Sequence, residues 1–122
     1  MPEVVNLAEK FAALDRPWSP RAVGEVSGHQ VRVAKLEGEF TWHHHDDEDE
    51  MFLVYRGELT MRLRDKVLTV REGEFVIIPR GVEHKPEAKS ETLVVLFEPA
   101  GTRNTGNVTN ELTIEPDQME LL

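Results

Sequence analysis

Apolar residues recur at helical spacing only near the start of the chain. Leu7, Phe11 and Leu14 fall on one face when plotted at 3.6 residues per turn, and Asn6 stands where an N-cap residue is expected. The pattern predicts a short helix over residues 6–15. The prolines that follow are expected to end it.

From about residue 23 to residue 98 the pattern changes to short apolar segments separated by turn signals. Glu72-Gly73 and Pro79-Arg80-Gly81 are two of these signals, and no long helical segment lies between them. Many short strands at this spacing predict an all-β fold, either an antiparallel sandwich or a barrel. Residues 99–122 are polar and rich in Gly, Asn and Thr, and they are predicted to form an ordered or partly ordered tail.

Three of the predicted strands are apolar on both faces. They are residues 51–55, 75–78 and 93–97. The interior of a barrel covers only one face of each strand, so something else must cover the other face. The candidates are the N-terminal helix and a second subunit, and we expect a homodimer.

Composition narrows the classes of function. The 122 residues fit one domain, with 14 Lys and Arg against 23 Asp and Glu and a net charge of −9, so nucleic acid is not an expected partner. The chain has no cysteine, which excludes disulfides and thiolate metal sites. The longest apolar run is too short to span a membrane, and the first residues lack a signal-peptide pattern. We therefore expect no membrane partner and a cytoplasmic location.

Four of the five histidines fall in two places, and the first group runs directly into acidic residues. Residues 43–45 are all histidine, residues 46–50 are all acidic, and His84 follows later. A solvated acidic loop or a His-rich tract with loose metal affinity would both account for this composition. In a strand, however, His43 and His45 share one face with Thr41, and His44 lies on the other face.

Glu50 extends this pattern into the next predicted strand. It shares its face with Phe52 and Val54, so an inward orientation would bring it into the same cavity as His43 and His45. Three neutral imidazoles and one carboxylate suit a divalent first-row ion such as Fe, Mn, Zn or Ni. Such a set leaves one or two coordination positions open for a ligand.

Two spaced motifs of the chain resemble those of the cupin superfamily. The first motif is matched by Gly38, His43, His45, Glu50 and Gly57, with four rather than the usual five residues between Gly38 and His43. The second motif is matched by Gly73, Pro79, Gly81 and His84, with Ala88 where an Asn is often found. The resemblance covers about residues 30–98 and is similar to the small single-domain bacterial cupins described as mannose-6-phosphate isomerase-like.

The resemblance implies one cupin domain over residues 1–122, built as a double-stranded β-helix, or jelly roll, around residues 23–98. It also implies that one divalent metal ion is held by His43, His45, Glu50 and His84, that His44 has no metal role, and that dimers are common.

Further candidates for the pocket follow from strand parity. They are Thr41, Phe52, Val54 and Met61. Beyond the four ligands, the interior is therefore predicted to contain Thr41 and apolar residues, with no second titratable group and no inward Lys or Arg. No catalytic residue can be named on this basis. Binding of a small organic ligand, with oxygenase-type chemistry, is the favoured function; a non-catalytic metal-binding or sensor protein and a sugar isomerase-like enzyme are the alternatives.

Overall fold

Seven strands, one α-helix and one 3-10 helix form within residues 2–122, the part of the chain that the computed structural model describes. Their bounds are α1 Leu7–Ala12, β1 Arg21–Val26, β2 His29–Glu39, β3 Glu50–Arg56, β4 Glu58–Leu63, β5 Val67–Arg71, β6 Phe75–Ile78, β7 His84–Pro99 and the 3-10 helix Pro116–Gln118. No helix among these described residues is long and apolar enough to cross a membrane.

The strands pair antiparallel, and β7 connects the two halves of the barrel. The order along the sheet is β1-β2-β7-β3-β6, while β4 pairs with both β7 and β5. The first residues of β7 pair with β4, and its later residues pair with β3. β2 pairs with β7 along most of its length. This arrangement confirms the predicted all-β jelly roll with a short helix.

The barrel interior is filled by side chains from strands that alternate between inward and outward positions. Glu50, Phe52 and Val54 of β3 are buried, whereas the residues between them are only partly buried. The interior core consists of Ala34, Leu36, Phe52, Val54, Leu59, Met61, Val70, Ile78, Ala88, Val94 and Leu96. Burial of this apolar surface is the main source of stability for the fold.

Helix α1 covers part of the outer face of the sheet. It is shorter than residues 6–15, and the Asn6 side chain caps it by accepting a hydrogen bond from the Glu9 N–H at 3.0 Å. Phe11 packs against Tyr55, with ring centroids 5.0 Å apart. Part of the same face stays open, because Phe75 is 60% exposed and Ile77 is 54% exposed.

The polar tail packs against the barrel. Thr102 and Thr105 are fully buried. The Leu122 N–H donates to the Ala22 carbonyl at 2.9 Å, which ties the end of the chain to β1. The tail therefore closes one end of the structure beside the segment that carries His43 and His45.

Candidate metal centre

The segment between β2 and β3 carries His43 and His45. It is not the regular strand that the sequence predicted, because β2 ends at Glu39 and only His43 forms an isolated bridge, to His84. Side-chain alternation nevertheless persists. His43 is 1% exposed and His45 is 4% exposed, whereas His44 is only partly buried.

Backbone hydrogen bonds hold this segment against the start of β7. The His43 N–H donates to the His84 carbonyl at 3.0 Å, and the His84 N–H donates to the His43 carbonyl at 2.9 Å. The Gly81 N–H donates to the His45 carbonyl at 2.7 Å. The turn that precedes β7 therefore fixes both histidines of the loop relative to His84.

Glu50, the first residue of β3, completes a buried group of four potential ligands. We call His43, His45, Glu50 and His84 the His3Glu cluster. One ligand atom from each residue lies within 4.8 Å of the others. Glu50 Oε1 lies 3.2 Å from His45 Nε2 and 3.5 Å from His84 Nε2. Strand parity predicted that His43, His45 and Glu50 face the same cavity, and the resemblance to the cupins added His84.

The ring orientations leave Nε2 of two histidines free for a metal. Nδ1 of His43 lies 2.9 Å from the Thr41 carbonyl, and Nδ1 of His84 lies 2.9 Å from the Val82 carbonyl. A carbonyl oxygen only accepts, so each Nδ1 must carry the hydrogen and each Nε2 the lone pair. This is the tautomer that metal coordination through Nε2 requires.

Several polar atoms of the His3Glu cluster are buried without a hydrogen-bond partner in the described residues. They include His45 Nε2, His84 Nε2 and Glu50 Oε1. A buried polar atom that lacks a partner costs stability. A divalent cation at the centre of the cluster would bind all three atoms, so the residues present fit a metal ion.

Burial sets the charge states of the cluster. Burial, together with the nearby His84, lowers the pKa of His43 from 6.5 to about 4. Burial alone would raise the pKa of Glu50, but the nearby His45, His84 and Glu98 side chains hold that pKa well below its usual range. At neutral pH the cluster therefore presents a neutral His43 imidazole and a carboxylate, which are the forms that bind metals.

His44 faces away from the cluster, as strand parity predicted. Its Nε2 lies 2.9 Å from Asp46 Oδ1, and its backbone N–H donates to the Asn107 side chain at 2.8 Å. The tail approaches the same backbone at Gly106, where an added Cβ would collide with the His44 carbonyl oxygen. Residues of the tail thus hold the histidine loop in place.

A narrow, mostly apolar cavity adjoins the cluster. His43 and Glu50 line it together with Trp18, Leu36, Phe40, Phe52, Leu96, Glu98 and Asn104, among others. The rings of Trp18 and Phe40 stack with centroids 4.8 Å apart. Of the predicted pocket residues, Phe52 lies on the cavity wall, whereas Val54 and Met61 lie in the barrel core. Thr41 contributes its carbonyl to His43 rather than a side chain to the wall.

The barrel interior also holds a buried, hydrogen-bonded pair of an arginine and a glutamate that was not predicted from the sequence. Arg32 is 0% exposed and Glu98 is 1% exposed, and Arg32 Nη1 donates to Glu98 Oε1 at 2.7 Å. The expectation of no further titratable group and no inward Arg was therefore wrong. Strand parity indicates both residues, because Arg32 shares a face with the buried Ala34 and Glu98 shares a face with the buried Leu96.

Glu98 lines the cavity beside Glu50, and its surroundings favour the protonated form. Burial raises its pKa well above the usual range, and the Glu50 carboxylate raises it further. Arg32 cannot offer its charge to a ligand, because it also donates to the Ala100 and Thr102 carbonyls and to Gln30. Glu98 is therefore a carboxyl group that a bound ligand can contact, whereas Arg32 is fully engaged.

Comparison with known proteins identifies the family. A family model described as "Cupin domain" matches residues 29–98.

A crystal structure of a cupin-2 domain containing protein from Shewanella frigidimarina is 45% identical, has a TM-score of 0.77, and covers 79% of this chain and 94% of that one. A Neisseria meningitidis protein of known structure is 31% identical, has a TM-score of 0.74, and covers 80% of this chain and 99% of that one. The uncharacterized protein YdbB of Bacillus subtilis (strain 168) is 37% identical over 78 residues, 63% of this chain and 69% of YdbB.

Proposed function

The chain is a member of the cupin family, and we propose that its His3Glu cluster holds one divalent first-row metal ion that binds a small organic ligand. One observation carries the proposal. His45 Nε2, His84 Nε2 and Glu50 Oε1 converge at the centre of a buried cluster and have no hydrogen-bond partner among residues 2–122. Buried polar atoms of native proteins are normally paired, and a cation is the partner that all three can share.

The donor set supports Fe, Mn, Zn or Ni as the metal. Three imidazoles suit first-row transition ions, and one carboxylate provides a negative charge. Four protein ligands leave one or two positions open on an ion that prefers five or six ligands. A bound ligand in the adjoining cavity would then reach the metal from the side of Phe52 and Glu98.

Oxygenase-type chemistry on a small, largely apolar ligand is the reaction that we favour. When bound, the metal would activate oxygen or polarise a ligand atom at its open positions. The apolar walls, which include Leu36, Phe40 and Leu96, would orient the ligand and exclude water. Glu98 would hold a proton beside the ligand, since burial raises its pKa.

A non-catalytic protein that binds or senses a small ligand is the alternative. The apolar cavity and the metal cluster support that function equally well, because neither feature requires turnover. A sugar isomerase-like enzyme receives less support. Arg32, the partner of the cavity residue Glu98, also donates to two backbone carbonyls, so it is not free to hold a phosphate.

Metal analysis of the protein without an affinity tag tests the metal site. We expect one metal ion per chain in the wild type and most of it lost in His43→Ala, His45→Ala and His84→Ala. Glu50→Gln should weaken binding more gently because it removes the negative charge but keeps an oxygen ligand. His44→Ala is the matched control and should keep wild-type stoichiometry. Loss of metal in His44→Ala together with retention in His43→Ala would contradict the proposed ligand set.

Oxygen consumption separates the enzyme from the binding protein. The iron-loaded protein should consume oxygen in the presence of one or more compounds from a panel of small catechols and diketones. His84→Ala provides the control without the metal site. Tight binding of a panel compound, measured by calorimetry, with no oxygen consumption would support the sensor function instead.

We also propose that the protein forms a homodimer, and a row of apolar residues that are partly or largely exposed supports this assembly. Ile77 pairs with Met51, Met51 with Phe97, and Phe97 with Val31, so the row crosses four strands on the outer face. Ile77 is 54% exposed and Phe75 beside it is 60% exposed. Contiguous exposed apolar surface marks an interaction site, and a second copy of the chain would cover it.

A further inference from the structure

The three histidines of the His3Glu cluster differ in how their outer ring nitrogens are supported. Nδ1 of His43 and Nδ1 of His84 each lie 2.9 Å from a backbone carbonyl oxygen. Nδ1 of His45 is buried and has no hydrogen-bond partner in the described part of the chain. His45 is therefore the one histidine of the cluster whose ring orientation and tautomer are not fixed by the backbone.

Glu48 is the carboxylate beside this nitrogen. Its Oε1 lies 3.9 Å from His45 Nδ1, and its side chain is 26% exposed. Of the neighbouring acidic residues, Asp46 lies 2.9 Å from His44 Nε2, Asp49 binds Arg80, and Asp47 is exposed. Asp46 is 76% exposed and Asp49 is 52% exposed, so Glu48 is the more buried carboxylate and the one directed at the cluster.

We propose that Glu48 is a positioning residue for the metal site, and that it accepts a hydrogen bond from Nδ1–H of His45 when the cluster holds its ion. The inference rests on the proposed metal site. A shift of about 1 Å would bring the two atoms to hydrogen-bond distance, which a partly exposed side chain in a loop can make. The metal-bound Nε2 forces the ring hydrogen onto Nδ1, so metal binding creates the donor that Glu48 accepts.

The proposed hydrogen bond would have two effects on the cluster. It would fix the His45 ring in the plane that directs Nε2 at Glu50 and His84. It would also increase the basicity of the imidazole, because the negative carboxylate stabilises the partial positive charge that the ring acquires when Nε2 donates its electron pair to the metal. Histidine ligands of metals commonly donate to such carboxylates, and loss of the partner typically lowers metal affinity by about 10–100-fold.

Zinc binding by matched loop variants tests the proposal. Glu48→Ala removes both the acceptor and its charge, and Asp47→Ala removes the same charge from an exposed neighbour in the same loop. We expect Glu48→Ala to weaken Zn²⁺ binding by about 10–100-fold and Asp47→Ala to weaken it far less. Glu48→Gln should fall between Glu48→Ala and the wild type, because the amide oxygen can still accept.

Nuclear magnetic resonance measures the proposed hydrogen bond directly, through a chemical shift that a merely structural role of Glu48 would leave unchanged. In ¹H–¹⁵N spectra of the Zn²⁺-loaded protein, Nδ1–H of His45 should give a downfield signal that shifts upfield in Glu48→Ala. The corresponding signals of His43 and His84 should stay in place, because carbonyl oxygens hold them.

The possible failures are distinguishable. If the wild type does not bind Zn²⁺, the proposed metal site itself is wrong. If the wild type binds Zn²⁺ but Glu48→Ala matches Asp47→Ala in affinity and leaves the His45 signal unchanged, the role of Glu48 is overturned while the metal site stands.

Discussion

At the scale of single residues, the barrel places groups that prefer water in positions that water hardly reaches. His43 is 1% exposed, His84 is 0% exposed and Glu50 is 4% exposed. A buried charge is unfavourable unless it is paired, so each residue adopts the protonation state that its neighbours favour. The cluster is thereby prepared for a cation, and the same burial makes the metal-free protein sensitive to acid.

The pH dependence of stability should reveal the burial of His43. Its pKa falls from 6.5 to about 4 on folding, so between these values the unfolded chain binds a proton there and the folded protein does not. The free energy of unfolding should be at its full value above pH 6.5 and decrease as the pH falls towards 4. A pKa lowered by this amount decreases the free energy of unfolding by up to about 3 kcal/mol at acidic pH. Urea denaturation of EDTA-treated protein at pH 7 and pH 4.5 measures it.

A pair of variants separates the contribution of His43 to the pH dependence of stability from the contributions of other groups. His43→Leu should lose less stability than the wild type when the pH falls from 7 to 4.5, because the buried imidazole has been removed. His44→Leu changes a histidine that faces away from the cluster and should keep the wild-type pH dependence. Equal pH dependence in His43→Leu and the wild type would contradict this explanation.

At the scale of elements, strand alternation was the most reliable guide to the site. It separated His44 from His43 and His45 even though the segment forms only an isolated bridge. It also grouped Glu50 with Phe52 on β3. Alternation also places Arg32 on the face of Ala34 and Glu98 on the face of Leu96, but charged residues in strands usually face solvent. Their mutual pairing, which spans 66 positions in sequence, makes their burial tolerable, and sequence spacing does not reveal it.

The tail shows a different limit of prediction. Its Gly, Asn and Thr residues have no apolar periodicity, so nothing in the pattern indicated where it would pack. In the structure, Asn104 lines the cavity and Asn107 holds the backbone of His44. The Asn104 side chain also donates to the Leu112 carbonyl and accepts from the Ile114 N–H. Side-chain hydrogen bonds of this kind depend on the tertiary fold rather than on local propensity.

The buried pair of Arg32 and Glu98 should be strongly coupled. Arg32→Met leaves the buried Glu98 carboxyl and the Ala100 and Thr102 carbonyls without a donor. We expect a loss of about 3 kcal/mol in the free energy of unfolding, because buried acceptors are left unsatisfied. The double variant Arg32→Met/Glu98→Met removes both members and should lose less than the sum of the single variants. A double-mutant cycle by urea denaturation measures the difference, and strict additivity would contradict the coupling.

The contact between the tail and the histidine loop should be essential for the metal site. Gly106 has a φ of 58°, and an added Cβ would collide with the His44 carbonyl oxygen and approach the His43 ring. Gly106→Ala should therefore displace the loop and weaken Zn²⁺ binding by about tenfold or more. Gly101→Ala is the matched control, since no atom lies within 4 Å of its added Cβ. Calorimetric titration of both variants gives the comparison, and equal affinities would contradict a role of the tail.

At the scale of the whole molecule, the outer face of the sheet is only partly covered by the chain itself. Phe11 of helix α1 and Leu14, which follows the helix, pack with Val33 and Val95 on this face. Beyond the helix, Phe75 and Ile77 of β6 remain more than half exposed. The sequence predicted that the outer face is covered, but it did not show which part the helix covers and which part a second subunit covers. The structure gives α1 part of this role and leaves the β6 side of the face for the proposed dimer.

A charged side chain in the apolar row of the outer face should therefore separate the subunits of the proposed dimer without unfolding them. Leu53 is a poor test position because it packs against the core under α1, whereas Ile77 is 54% exposed and tolerates a polar side chain in the monomer. Ile77→Lys would bury two ammonium groups in a symmetric interface, and we expect it to weaken the dimer by more than about tenfold. Val67→Lys is the matched control, because Val67 is 53% exposed but lies on β5, outside the row. Sedimentation velocity at micromolar concentration should give a folded monomer for Ile77→Lys and a dimer for Val67→Lys; a monomeric wild type would contradict the proposed assembly.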